Sequence, residues 1–196
     1  DSLGNSYVAG RFKGTVDFDP GPSSYNLSTT RGAMYVLKLD TGGNFLWVRT
    51  IENGFNANVT PTSMVADIAG NTYITGIFFN TIDFDPGQGV FNLNASTAHD
   101  PFILKLDANG NFVWAKSIQV QGDSRARSIT LDSFGNVYSI GEFKSTADFD
   151  PGPQTLNITS SGFEDVYIQK LSSNGNLIWA KTFGGTGQDE SYQIES

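Results

Sequence analysis

Cysteine is absent from the 196 residues, so the chain has no disulfide, no thiolate metal site and no thiol nucleophile. There is one histidine, His99, and no second imidazole to share a metal with it. No serine stands in an elbow motif either, so no nucleophile can be paired with a base, and hydrolase chemistry has little to stand on. Basic residues are scarce: 12 Lys and Arg against 20 Asp and Glu give a net charge of −8, which argues against binding a phosphate backbone. No apolar run approaches the length of a membrane span, so no membrane insertion is expected. The chain also lacks a signal peptide and an initiator methionine, which points to a soluble, processed or excised part of something longer.

Glycine and aromatic residues, by contrast, are abundant. With 22 glycines, 13% aromatic content and only two methionines, the composition favours strands and tight turns over helices. An apolar content of 38% is enough to bury a core at this length.

A repeat accounts for most of this composition. Asp17-Phe18-Asp19-Pro20-Gly21 returns as Asp83-Phe84-Asp85-Pro86-Gly87 and as Asp148-Phe149-Asp150-Pro151-Gly152. Aligning these copies divides the chain into residues 1–66, 67–131 and 132–196, three units of about 65 residues each. Every unit opens on an Asp-x-x-Gly-Asn turn, followed by Tyr7, Tyr73 or Tyr138, then Gly10, Gly76 or Gly141, then Phe12, Phe78 or Phe143. Each closes through Lys38-Leu39, Lys105-Leu106 or Lys170-Leu171, a glycine turn, and Trp47, Trp114 or Trp179.

Within a unit the pattern reads as four strands and one long insertion. Residues 126–131 and 136–143 alternate and are β-branched or aromatic, with a Gly-Asn turn between them, so they predict a hairpin. Residues 165–171 and 177–181 form a second hairpin through Asn174-Gly175, whose two residues both tolerate positive φ. Both faces of these strands carry apolar side chains, as in Phe102-Ile103-Leu104. Small sheets covered on each side by similar sheets make an all-β fold of β-propeller blades: three four-stranded antiparallel repeats, part of a larger ring or assembly. A β-solenoid fits less well, because its coils are usually shorter and lack paired hairpins at fixed turns.

The recurring Asp-x-x-Gly-Asn-x-Tyr-x-x-Gly, the Lys-Leu strand and the Gly-Asn-x-x-Trp-Ala-Lys ending resemble the SBBP-type bacterial β-propeller repeat, in its Asp-Phe-Asp-Pro-Gly-containing form. The resemblance covers essentially the whole chain and departs from the pattern at Ser172, where Asp40 and Asp107 stand, and at Gln169, where Leu37 and Leu104 stand. It implies a secreted or surface-displayed bacterial protein with no catalytic residues to carry over.

The two ends of the repeat array are complementary. Residues 191–196 align with residues 126–131 as a first strand without its partner, while residues 5–12 are a second strand without its first. Three blades are fewer than a propeller ordinarily has, so neighbouring repeats or identical chains are expected to meet these strands and close a ring or grow a filament.

Two readings of the acidic turn stand side by side. Asp17 with Asp19, Asp83 with Asp85, and Asp148 with Asp150 each project two carboxylates the same way, as a Ca2+ site would require. Aspartate before Pro-Gly equally caps a β-turn and needs no metal. Lys38, Lys105 and Lys170 are expected to pair with an acidic neighbour or to snorkel. Trp47, Trp114 and Trp179 are read either as packing between blades or as sugar platforms. His99 is placed at the surface, and the sequons at Asn26, Asn94 and Asn157 mark the insertion as exposed. Three equivalent acidic pairs look like architecture, so the chain is expected to be a non-catalytic structural or adhesin-like module binding protein or glycan. Self-assembly through the termini is the alternative, and a carboxylate-pair glycan-processing enzyme is the weaker one.

Overall fold

The computed structural model describes residues 1–96 and 99–196. Among these the chain is all-β: no helix forms, and the strands make several small antiparallel sheets. Sheet 1 holds β1 (Ser6–Asp17), β2 (Asn26–Leu39) and β3 (Phe45–Glu52) in that order. Sheet 2 begins with β4 (Asn58–Ala66) and β5 (Thr72–Phe79), and a two-stranded ribbon of β6 (Thr81–Asp83) and β7 (Asn92–Asn94) leaves it. Its remaining strands are β8 (Asp100–Leu106) and β9 (Phe112–Ser117), giving the order β4-β5-β8-β9. In sheet 3, β10 (Gln119–Val120) and β11 (Ser124–Leu131) both pair with β12 (Val137–Asp148), which is followed by β13 (Asn157–Leu171) and β14 (Leu177–Phe183). Sheets 2 and 3 thus draw their first strands from the unit that precedes each of them in sequence.

The sequence periodicity shows why these residues pair. Alternating small and large apolar residues in β5 and β12 give each central strand two buried faces, and Gly76 and Gly141 sit where the neighbouring first strand comes closest. A Cβ at Gly76 would run into the Thr60 carbonyl, and one at Gly141 into the Arg125 carbonyl. Bare glycine is what lets the two backbones close up.

The insertion is more ordered than the sequence implied. It is a continuation of the second and third strands of each unit, bent at a residue of positive φ: Gly14 (84°), Asn80 (60°) or Ser145 (71°). The ladder shifts register there, between Phe12 and Gly14 and again between Lys144 and Thr146, so the ribbon leaves the plane of its sheet. Residues 191–196 form no strand, because no partner lies along their free edge among the described residues. They nevertheless run beside β11: Ser196 Oγ donates to the Leu131 carbonyl at 2.6 Å, and the Ser191 peptide N–H and hydroxyl both donate to Glu142 at 2.7 Å.

The core lies between sheets rather than within one. Met34, Val36 and Ile51 of sheet 1 join Ile74, Phe78, Phe102 and Leu104 of sheet 2 in one buried cluster. Residues of sheets 2 and 3 share a second cluster, through Tyr73, Trp114, Ile129 and Leu171, and the third gathers Phe143 and Phe149 of the last unit around Ile118, which follows β9.

Candidate interaction site at the sheet junctions

The acidic turns are self-contained. Asp17 Oδ1 accepts from the N–H of Asp19 at 3.1 Å and of Tyr25 at 2.8 Å, and Asp19 Oδ1 accepts from Gly21 N–H at 2.8 Å. The same three bonds recur from Asp83 and Asp85, with Phe91 in place of Tyr25, and from Asp148 and Asp150, with Leu156 there. One oxygen of every carboxylate is thus spent on its own turn. The Tyr25 and Asp19 peptide N–H groups hold the Asp17 carboxyl below its ordinary range.

Between each acid pair lies a phenylalanine, and in the second and third pairs it is pressed into a junction between sheets. Phe84 is fully buried, edge-on to Phe78 at 5.4 Å and tilted against Phe102 at 4.9 Å, and it shares a cluster with Met34 and Ile51 of the preceding sheet. Phe149 is placed in the same way against Phe143 at 5.2 Å and Tyr167 at 5.5 Å, beside Ile118 of the preceding unit. The turn therefore drives an aromatic plug between neighbouring sheets. Proline fixes φ and the carboxylates satisfy the N–H groups that the plug's backbone would otherwise strand.

A second junction element is polar. Lys38 Nζ and Trp47 Nε1 both donate to the Ala108 carbonyl in the next sheet, at 3.3 and 3.2 Å. Lys105 Nζ and Trp114 Nε1 do the same to the Ser173 carbonyl, at 3.2 Å each. Each lysine lies over its tyrosine ring, Tyr7, Tyr73 or Tyr138, at 5.0, 4.9 and 4.7 Å, and each tryptophan meets the same ring edge-on. Lys38 also lies 3.7 Å from Asp1, and Lys170 3.1 Å from Asp132. The Asn136 side chain, before other groups, holds the Asp132 carboxyl well below its usual range, and Tyr138 and then Asp132 raise Lys170. Trp47 and Trp114 therefore bind sheet to sheet.

Sequence reasoning missed the groups that break the repeat, which concentrate at sheet 3. Glu142, where Arg11 and Ile77 stand in the other units, is fully buried and takes Arg127 Nε at 2.8 Å as well as Ser191. Arg125 bonds Glu164 at 2.8 Å, and Gln188 bonds the same carboxylate. Burial first, and then the Glu142 charge, push the Tyr167 phenol far above its ordinary value, so it stays protonated. Unequal residues at one aligned position were the available signal. His99 is half-buried rather than exposed, with its ring tilted on Phe79 at 5.7 Å and its carbonyl accepting from Ser124. Asn26, Asn94 and Asn157 are exposed at strand ends.

No protein-family model matches the chain. It is similar to an uncharacterized WD repeat-containing protein of Acanthamoeba polyphaga mimivirus, with 23% identity over 222 residues covering 98% of the chain. This is a distant WD-repeat likeness. The chain spans only 16% of that relative's length. Together with the small antiparallel sheets, the likeness describes a β-propeller-type repeat protein.

Proposed function

We propose that the chain is a set of three propeller blades of the SBBP type, serving as a non-catalytic interaction module on a secreted or surface-displayed bacterial protein. The observation that carries this reading is the use of the repeated chemistry. Carboxylates, lysines and tryptophans at equivalent positions hold turns and join sheets, as architecture rather than as a site. What faces outward instead is a set of apolar turn residues, Leu3, Ile68 and Phe134, each strongly exposed at the turn before β1, β5 or β12. Ser2 Oγ donates to the Ile68 carbonyl at 2.7 Å, so the first two of these turns sit side by side. Exposed apolar groups on rigid turns are suited to gripping a protein or glycan surface.

The test is a glycan array and a panel of immobilised surface proteins, probed with the chain and with an L3S/I68S/F134S variant. Retention that the variant loses supports the module; equal retention by both removes the turns from the reading. A panel of chromogenic glycosides is expected to stay intact, and turnover lost in D148N/D150N would replace the module with a glycosidase.

A further inference from the structure

The two internal junctions are built from aligned positions, yet they differ in kind. On the face of sheet 2 that meets sheet 1, Ile74, Phe102 and Leu104 are buried in one apolar cluster with Met34 and Val36. At the same repeat positions, on the face of sheet 3 that meets sheet 2, stand Ser139, Tyr167 and Gln169. They are just as deeply buried, at 1%, 0% and 2% exposed. Three apolar side chains of one junction have thus given way to three polar ones at the other. The exchanges lie side by side: Ser139 pairs with Gln169, and Gly141 with Tyr167, across β12 and β13, so the three side chains share one face of the sheet.

Serine also leaves space that isoleucine fills at the other junction. A hollow of about 10 Å³ lies there, lined by Ser139, Tyr167 and Gln169 from sheet 3 and by Thr75, Ile103 and Lys116 from sheet 2. That is about the room one buried water molecule takes. Neither Ser139 Oγ nor Tyr167 Oη has a hydrogen-bond partner in the protein, and both atoms are shut off from solvent. Gln169 Nε2 donates to the Phe149 carbonyl and Thr75 Oγ1 to the Phe102 carbonyl, each at 2.8 Å, so these donors serve other groups. A buried hydroxyl without a partner is costly, and two beside one small hollow have a common remedy.

From these facts we infer that a single ordered water molecule is bound between sheets 2 and 3, bridging the hydroxyls of Ser139 and Tyr167. The hollow is too small for any larger polar ligand. Lys116 at its wall opposes a metal cation, and the Glu142 charge that acts on Tyr167 opposes an anion. Both hydroxyls are neutral, and a water molecule can accept from one while it donates to the other. The junction of sheets 1 and 2 carries isoleucine and phenylalanine at these positions and offers water nothing to bond. Two joints of one repeated design are therefore sealed differently, the first by apolar contact alone and the second around a bound solvent molecule.

The test is a crystal structure at a resolution that shows ordered solvent, joined to water-to-amide NOE spectroscopy in solution. The wild-type chain is expected to show one water within hydrogen-bond distance of both Ser139 Oγ and Tyr167 Oη, with an NOE from water to the Ser139 amide. S139V/Y167F installs the residues that other units carry at these positions, Val8 and Phe102. It is expected to lose both signals while melting within about 2 °C of the wild type, whereas S139V alone strands the Tyr167 hydroxyl and melts lower than either. No bound water in the wild type, a direct Ser139–Tyr167 bond in its place, a water that persists in the double variant, or a double variant that melts below S139V would overturn the inference. If a variant fails to fold, the wild-type density and NOE decide the question by themselves.

Discussion

Phe84→Ala tests whether the acidic turn exists to place its phenylalanine. Phe84 is fully buried and makes ring contacts with Phe78 and Phe102 at 5.4 and 4.9 Å, so its removal deletes a plug bounded by two sheets. Fully buried Phe→Ala changes cost about 3–5 kcal/mol, the aromatic pairs contributing about 0.5–1.5 kcal/mol of that. At roughly 2–4 °C per kcal/mol for a chain of this size, the melting temperature should fall by about 6–20 °C. Asp83→Asn and Asp85→Asn keep an acceptor oxygen for the turn's N–H groups and should shift stability by no more than about 0.5 kcal/mol. Urea unfolding followed by both circular dichroism and tryptophan fluorescence measures all three changes, with and without a chelator. Were F84A to cost under about 1 kcal/mol, or D83N and D85N as much as F84A, the carboxylates rather than the ring would be the purpose of the turn. A chelator that lowers the wild-type melting temperature but not that of D83N/D85N would support the calcium reading.

Ser145 holds a left-handed conformation where its equivalents include Gly14, so Ser145→Gly should stabilise the chain by about 0.5–1 kcal/mol, seen as a higher melting temperature. Gly141→Ala should prevent folding or unfold the chain at room temperature, because the added methyl meets the Arg125 carbonyl; a soluble variant with a native circular dichroism spectrum would contradict the packing described. Trp114→Phe keeps an aromatic ring but loses the bond to Ser173 and part of the buried volume, and urea titration should register a loss of at least about 1 kcal/mol. Asp17, Asp40 and Asp132 all sit below the ordinary carboxylate value of 3.8 in the folded chain. Their stabilisation is therefore complete above that value and is lost as pH falls through the lowered native ones, so the melting temperature should decline from about pH 4 downward. Asp132→Asn should flatten that decline, and a melting temperature constant between pH 7 and pH 2 would contradict it.

Much of the fold was legible because its signals are local and repeated. Asp-x-x-Gly-Asn turns, alternating strands and Asn174-Gly175 locate hairpins without long-range information. The path of the insertion was not, since it depends on Asn80 and Ser145 adopting positive φ, which neither residue type requires. Nor could the sequence decide what the acid pairs do. Two carboxylates two residues apart look alike whether they face a cation or their own backbone, and the bonds from the Tyr25, Phe91 and Leu156 N–H groups, which show one oxygen serving the turn, depend on a chain path that the spacing does not reveal. The Lys38 and Trp47 positions were visible as repeats, but their shared acceptor, Ala108, lies 61 residues beyond Trp47 and carries no side-chain mark of that role. Glu142 and Ser191 escaped for the opposite reason, because a search for sameness passes over what occurs once.

The self-bracing turn has an evolutionary corollary. Each acid pair anchors both ends of its loop from within, so the tips at residues 22–24, 88–90 and 153–155 bear little of the burden of keeping the plug in place. Those tips already differ among the three copies, as Pro-Ser-Ser, Gln-Gly-Val and Pro-Gln-Thr, with only the proline of the first and third in common. A lineage could rewrite them in answer to a changing environment while the scaffold beneath stayed as it is, which makes them natural positions for grafting foreign peptides.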